Sequence, residues 1–135
     1  MQQELQEIMD EFDADTGTIH LMENGVLILK AHVGVPEQVL DVVRVVPVGK
    51  GMAGMAQERN EPVSSCNLQQ DQSGDIPAGA RATGVNGAIV VPVRDRDGAA
   101  VGTVGIGVHR AYEYSGAETA RLFELASTLS RHGHP

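Results

Sequence analysis

The stretch that decides the fold is Asn86-Gly-Ala-Ile-Val-Val-Pro-Val-Arg-Asp-Arg-Asp-Gly-Ala-Ala-Val-Gly-Thr-Val-Gly-Ile-Gly-Val108. It reads as two strands joined by a tight turn, because Asp97-Gly98 supplies the positive φ angles that a two-residue hairpin loop requires. The first arm, residues 88–93, is apolar without interruption, which predicts a strand covered on both faces in the middle of a sheet. Proline normally marks an edge or a bulge, so Pro92 predicts a local irregularity in this arm.

The second arm carries branched apolar side chains on one face and small residues on the other, since side chains alternate along a strand. The apolar set is Val104, Ile106 and Val108, and the small set is Thr103, Gly105 and Gly107. A strand gains no stability from glycine itself. The small set therefore predicts that another backbone, or a ligand, comes close to this face of the sheet.

Composition limits the classes of function. The chain has 135 residues, enough for one domain over 1–135, and its net charge of −8 disfavours binding to nucleic acid or to anionic lipid. It contains no apolar run long enough to span a membrane, and its first residues are polar and acidic, so a cytoplasmic location is expected. A lone cysteine, Cys66, agrees with a reducing compartment and cannot form an intramolecular disulfide.

The first part of the chain predicts a helix followed by a hairpin. Apolar residues at helical spacing form one stripe near the amino terminus, namely Leu5, Ile8, Met9 and Phe12. Asn24-Gly25 is a strong signal for a two-residue loop between strands. With that loop, Met22 faces Leu27 and His20 faces Leu29 on one side of the hairpin, and both sides are apolar enough to be covered.

The remaining elements follow from glycine, proline and capping signals. Residues 37–43 are compatible with one helical turn or with a loop. The glycine-rich stretch 49–54 opens a short helix that Asn60 and Pro62 end, and a short strand follows at 62–66. Residues 67–84 are polar and lack aliphatic periodicity, which predicts a long loop. Ser115-Gly-Ala-Glu118 matches a capping box and begins the last helix.

The chain resembles the GAF domain family at five places: Pro47-Val-Gly-Lys-Gly-Met-Ala-Gly54, Glu61-Pro-Val63, Ile89-Val-Val-Pro-Val93, Val101-Gly-Thr-Val-Gly105 and Tyr114-Ser115. The resemblance implies an α/β (α+β) fold, a three-layer α/β/α sandwich with a central antiparallel sheet of core strand order 2-1-5-4-3. It places the terminal helices on one face, and the short helix and the long loop on the other. It also implies a small-molecule site under the loop and homodimer formation through the terminal helices.

The candidate ligand-binding residues lie on the short helix, at the end of the short strand and on the loop. They are Met52, Met55, Cys66, Asn67, Asp71, Arg81 and Thr83. Arg81 has the geometry to hold a carboxylate or phosphate with two hydrogen bonds. Each of these residues also has an interpretation without a ligand: the methionines as core residues, the loop residues as solvated side chains, and Cys66 as a small buried apolar residue. His20 is interpreted as a hydrogen-bonded core or pocket residue.

Gly49-x-Gly51-x-x-Gly54 also matches a dinucleotide-binding fingerprint, with Asp71 about 20 residues further on. That fingerprint needs a parallel βαβ unit, whereas Pro62 follows after about two helical turns. A turn with glycines for close packing is the preferred interpretation, and an anion at the helix start beside Lys50 stays open. We expect no metal and no cofactor, since His132 and His134 lie on a terminal tail.

The sequence thus predicts a small-molecule-sensing or regulatory domain in signal transduction, without catalytic activity. One alternative is a ligand-free module for protein interaction or dimerisation. The other is a divergent free methionine-R-sulfoxide reductase, because some single-domain GAF proteins have that activity and use several cysteines. One of those cysteines lies within the glycine motif, where this chain has Met52, and no second cysteine is present to form a disulfide.

Overall fold

The computed structural model of the chain describes residues 1–65 and 86–131. Six strands and four helices lie in these two ranges. In chain order they are α1 (Gln2–Phe12), β1 (Thr16–Glu23), β2 (Val26–Val33), α2 (Glu37–Val43), β3 (Val45–Pro47), α3 (Gly51–Arg59), β4 (Val63–Ser65), β5 (Gly87–Arg94), β6 (Ala100–Val108) and α4 (Gly116–Ser127). A short 3₁₀ turn, Thr128–Arg131, follows α4.

The strands form one sheet in the order β3-β2-β1-β6-β5-β4, and every pair of neighbours is antiparallel. The five strands expected from the sequence correspond to β2-β1-β6-β5-β4, so the predicted core order is confirmed. The additional strand, β3, pairs with the start of β2 at one edge. It was not predicted, because three residues that include Pro47 are too few to show an alternating pattern.

Helices cover both faces of the sheet, as the sandwich prediction requires. Leu5 and Met9 of α1 and Leu122 of α4 share one apolar cluster with Ile19 and Val104 of the sheet. We call this side the terminal-helix face. Ala56 of α3 instead packs with Val63 and Val90, which point to the opposite side. We call that side the α3 face.

The β1–β2 hairpin has the loop and the neighbouring pairs that the sequence predicts. Asn24 and Gly25 both have positive φ, 51° and 84°, as the two-residue loop requires. Met22 pairs with Leu27, and His20 pairs with Leu29. The register shifts between Ile19 and His20, so β2 carries one extra residue at this point. The shift keeps the apolar residues of both strands directed into the two covered layers.

The prediction of a two-residue Asp97-Gly98 loop between β5 and β6 is wrong. Among the turn residues only Gly98 has positive φ, at 83°. The Asp95 amide bonds the Ala99 carbonyl at 2.9 Å, which leaves residues 96–98 as the loop. The Asp95 carboxylate accepts hydrogen bonds from the amides of Asp97 and Ala99, at 2.9 and 3.0 Å. This aspartate side chain stabilises the longer turn, and the turn signal alone did not reveal it.

Pro92 itself lies in regular register opposite Thr103. The irregularity falls one residue later, between Val93 and Arg94. Proline is tolerated here because the β4–β5 ladder ends at the pair Val63–Val90, so Pro92 lies beyond the last β4 residue that β5 contacts.

The last helix begins as predicted. The Ser115 hydroxyl accepts from the Glu118 amide at 3.1 Å, and the Glu118 carboxylate accepts from the Ser115 amide at 2.9 Å. Together they form a capping box. The interval 37–43, which the sequence left open, is the helix α2.

Candidate functional site

The sheet residues that face α3 include two buried polar side chains, His20 of β1 and Thr103 of β6. Their neighbours Ile19 and Val104 are paired across the same two strands and belong to the terminal-helix cluster. Because side chains alternate along a strand, His20 and Thr103 point to the α3 face, where they are direct cross-strand partners. The sheet order therefore brings together two polar groups that are 83 positions apart in the chain.

His20 is only 2% exposed, and its ring is held at one nitrogen. Nε2 lies 2.8 Å from the Val43 carbonyl oxygen at the end of α2. A carbonyl can only accept a hydrogen bond, so Nε2 carries the proton and donates it. The other nitrogen, Nδ1, is buried and has no hydrogen-bond partner among the described residues. The sequence interpretation of His20 as a hydrogen-bonded core or pocket residue agrees with this geometry.

The charge state of His20 follows from its burial. Desolvation lowers its pKa from the usual 6.5 and outweighs the opposing effect of the hydrogen bond to Val43. The ring is therefore neutral at pH 7. A neutral ring with its proton on Nε2 has a lone pair on Nδ1, so this nitrogen can only accept a hydrogen bond.

Thr103 presents the second buried group. Its side chain is 1% exposed, and its hydroxyl oxygen also lacks a partner in the part of the chain that the structure describes. Roughly 90% or more of buried polar groups in native proteins have a partner, and each orphan costs about 1–3 kcal/mol. Two such atoms opposite one another in the middle of the sheet thus mark a candidate polar site on this face. Sequence reasoning placed Thr103 among the small residues of its strand but did not identify it as a site residue.

Gly105 lies two residues further along β6 on the same face. A Cβ at this position would lie 3.1 Å from the Thr18 hydroxyl oxygen and 3.2 Å from a Val90 methyl group. These residues are its partners on β1 and β5. The nearest described neighbours of Gly105 are thus side chains of the flanking strands. The expected approach of a second backbone or of a ligand stays a prediction.

The helix α3 contributes two of the predicted site residues. Met52 and Met55 are partly buried and pack against the cluster of Ala56, Val63 and Val90. Both therefore lie on the α3 face, as the sequence analysis expected. Their contact with a ligand stays a prediction.

The glycine motif before α3 has a structural explanation. Gly49 and Gly51 have positive φ, 88° and 64°. A Cβ on Gly54 would lie 2.5 Å from the Pro47 carbonyl oxygen, so glycine lets α3 pack closely on the preceding turn. The neighbouring strands are antiparallel, whereas a dinucleotide fingerprint needs a parallel βαβ unit. The interpretation as a turn for close packing is supported.

The other predicted site residues lie outside the described residues. They are Cys66, Asn67, Asp71, Arg81 and Thr83. The same holds for His132 and His134.

A separate cleft of about 300 Å³ opens at the outer edge of β2, next to α2, and contains none of the predicted site residues. Lys30 and Arg44 line it, which would favour an anion. Both cations already have carboxylate neighbours, Glu23 at 2.5 Å and Asp41 at 3.6 Å. The cleft is therefore a weaker candidate than the α3 face.

Residues 1–65 and 86–131 include no helix with the length and apolar character needed to cross a membrane. No three His, Cys, Asp or Glu side chains of the same ranges lie close enough together to hold a metal ion.

Known structures share this fold. The chain is 23% identical to the type II free methionine-R-sulfoxide reductase from Thermoplasma acidophilum, with a TM-score of 0.80, covering 97% of this chain and 87% of that one. It is 21% identical to the GAF domain of the Acinetobacter phosphoenolpyruvate-protein phosphotransferase, with a TM-score of 0.76 and coverages of 94% and 75%.

A third similar structure is the free methionine-R-sulfoxide reductase from Neisseria meningitidis in complex with its substrate. It is 19% identical, with a TM-score of 0.75 and coverages of 94% and 71%. Identities this low show a common fold and do not carry an activity to this chain.

Comparison with curated proteins finds no sequence match. The sequence model of the GAF domain nevertheless matches residues 1–132, almost the full length. This match agrees with the sheet order, the two helical layers and the structural similarities. The chain belongs to the GAF domain family.

Proposed function

We propose that the chain is a cytoplasmic regulatory GAF domain that binds a small molecule on the α3 face and does not catalyse a reaction. The observation that carries this proposal is the pair of buried orphan atoms, His20 Nδ1 and Thr103 Oγ1, on neighbouring strands. Each costs free energy while it lacks a partner, and a ligand that bonds to both recovers that cost on binding. Met52 and Met55 supply adaptable apolar surface on the same face.

The test is native mass spectrometry of gently purified protein. We expect a retained small molecule on the wild-type chain and its loss from the Thr103→Val variant, which removes the hydroxyl at nearly constant shape. Thr119→Val is the matched control, because this threonine lies on α4 and bonds the Ser115 carbonyl at 2.9 Å. Wild-type protein that carries no ligand, and that gives no NMR shifts on the α3 face with any metabolite tested, would contradict the proposal.

The same proposal includes a homodimer formed through α1 and α4. These helices already contact one another within one chain, where the Arg121 guanidinium bonds both Glu11 carboxylate oxygens at 2.7 and 3.0 Å. A second copy would add a further layer on their outer sides. Sedimentation equilibrium measures this directly, and a mass near 14.3 kDa at micromolar concentration would argue for a monomer.

A ligand-free interaction module is the second candidate, and one observation favours it. Met52 and Met55 pack against Val63 and Val90, so part of the α3 face is already filled by the chain's own side chains. If this module were the function, the wild-type and Thr103→Val proteins would both be free of ligand and would both bind the partner protein.

Reductase activity is not part of the proposal, because the chain cannot complete an intramolecular disulfide cycle. A cycle that forms a disulfide within one chain needs two thiols, and the sequence contains only Cys66. Free methionine-R-sulfoxide with a thiol reductant is the decisive substrate. We expect no turnover by the parent protein or by Cys66→Ser, and turnover that Cys66→Ser abolishes would establish an enzyme.

A further inference from the structure

The two orphan atoms on the α3 face differ in what they can bind. Nδ1 of His20 can only accept a hydrogen bond, because the Val43 carbonyl fixes the ring proton on Nε2. The Thr103 hydroxyl can donate or accept. A molecule that bonds to both atoms must therefore direct a hydrogen-bond donor at Nδ1, while its contact with Thr103 can be a donor or an acceptor.

The two groups do not satisfy each other. Neither atom has a partner within residues 1–65 and 86–131, although the two residues are direct neighbours across β1 and β6. Opposed side chains on antiparallel strands have Cβ atoms about 4.5–5.5 Å apart, so one small group can reach polar atoms of both residues. A single chemical group that reaches both atoms is the simplest way to complete the pair.

From this geometry we propose that the group bound between His20 and Thr103 is an uncharged hydrogen-bond donor, with a primary amide as the best match, and that a carboxylate or phosphate is rejected at this position. The inference rests on the proposed function and narrows the class of ligand. An amide N–H satisfies Nδ1 while the amide oxygen accepts from the Thr103 hydroxyl. A carboxylate would place its lone pairs against the lone pair of Nδ1 in a desolvated site.

Burial of His20 supports this choice. An anion would be accepted only if Nδ1 were protonated, and desolvation lowers the pKa of the ring and so disfavours the charged form. The ring also cannot exchange its two nitrogens without losing the 2.8 Å bond to Val43. The hydrogen bond between His20 of β1 and Val43 of α2 therefore determines that Nδ1 binds a donor.

The experiment uses the full chain with ¹⁵N-labelled histidine and matched pairs of small probes. Acetamide is compared with acetate, propanamide with propionate, and benzamide with benzoate, while NMR follows the two ring nitrogens of His20. We expect the amides to shift Nδ1 while Nε2 stays protonated. We expect each acid to bind roughly 5- to 140-fold more weakly, which is the cost of about 1–3 kcal/mol for a mismatched buried polar contact at about 1.4 kcal/mol per factor of ten.

Two variants separate the nitrogens. His20→Asn places an amide oxygen two bonds from Cβ, where Nδ1 lies, whereas His20→Gln places its nitrogen three bonds away, where Nε2 lies. We expect His20→Asn to keep part of the amide preference and His20→Gln to lose it. The titration of the wild-type protein tests the inference even if neither variant folds.

The outcomes distinguish this inference from the function on which it rests. Acids that shift Nδ1 as strongly as amides would overturn the inference and leave a ligand-binding domain. A ligand retained in native mass spectrometry without any effect on His20 would do the same. A wild-type chain with no retained ligand and no response to any probe would mean that water alone completes the pair, and both proposals would be wrong.

Discussion

The two faces of the sheet are built differently. The terminal-helix face joins fully buried Leu5, Val104 and Leu122 in one continuous apolar cluster. The α3 face has a smaller apolar cluster around Ala56, and within the described residues its sheet strands hold two buried polar atoms without partners, His20 Nδ1 and Thr103 Oγ1, while α3 itself adds Gln57 Oε1. On the other side, the hydroxyl of Tyr114, which packs against the terminal-helix cluster, is buried without a described partner as well. The comparison indicates that the larger part of the apolar core lies on the terminal-helix face, while the unpartnered polar side chains of the sheet strands point to the α3 face.

The largest expected effect comes from truncating one apolar side chain on each face, which leaves a cavity there. Leu122→Ala removes a side chain that is 1% exposed, and we expect it to lower the free energy of unfolding by about 2–5 kcal/mol. Met52→Ala is the matched change on the α3 face, and its loss should be clearly smaller because Met52 is only partly buried. Urea unfolding measures both. Equal losses would mean that the faces contribute equally.

The helix starts provide the next test. Ser115→Ala removes half of the capping box of α4, and we expect it to cost about 0.5–2 kcal/mol. The corresponding residue of α3 is Lys50, whose side chain makes no capping hydrogen bond. Lys50→Ala should therefore change stability little. A comparable loss for Lys50→Ala would show that the start of α3 is stabilised in a way that its cap geometry does not reveal.

A third prediction has the opposite sign. Thr103→Val replaces a buried orphan hydroxyl with a methyl group of nearly the same size, and we expect it to stabilise the ligand-free protein by roughly 1 kcal/mol. The protein is refolded from denaturant first, so that no ligand remains. Thr119→Val, which breaks a hydrogen bond at the start of α4, should not stabilise. Destabilisation by Thr103→Val would show that the hydroxyl has a partner in solution.

The sequence predicted the features that depend on neighbouring residues better than those that depend on contacts between distant ones. Local signals were sufficient for the β1–β2 register next to the loop, because Asn24-Gly25 fixes the pairs as far as His20–Leu29. The register shift that follows between Ile19 and His20 left no local signal and was not predicted. The capping box at Ser115 was equally local. The β5–β6 turn was missed by one residue, since the Asp95 carboxylate selects a longer loop through hydrogen bonds that a dipeptide signal cannot show.

The candidate site was harder to predict because its two members belong to different parts of the chain. His20 and Thr103 become neighbours only once β6 pairs with β1. The burial of His20 could be inferred from its strand, but its bond to Val43 depends on where α2 ends. The small residues of β6 were visible in the sequence, but strand order alone does not give the register that places Thr103 opposite His20.

The smallest effect that we predict is a dependence of stability on pH, and it also separates the two faces. The pKa of His20 is lowered in the folded protein, chiefly by burial, so the unfolded chain binds a proton more readily. The contribution of the neutral His20 ring to the free energy of unfolding is therefore complete above about pH 6.5. It is lost as the pH falls from that value towards the lowered pKa of the folded protein. His20→Gln should remove this loss.

The carboxylate of Glu118 in the cap of α4 gives a second window. Its pKa is lowered, first by the hydrogen bond from the Ser115 amide, so its contribution is present above about pH 4.5 and is lost below that value. Urea midpoints measured at a series of pH values should therefore decline twice as the pH falls. His20→Gln should abolish the first decline, which begins near pH 6.5. Ser115→Ala should leave the second decline, below about pH 4.5, in place, because the backbone amide of residue 115 still donates to Glu118. If His20→Gln left the first decline unchanged, the buried ring would not be the group that titrates, and the polar character assigned to the α3 face would lose its main support.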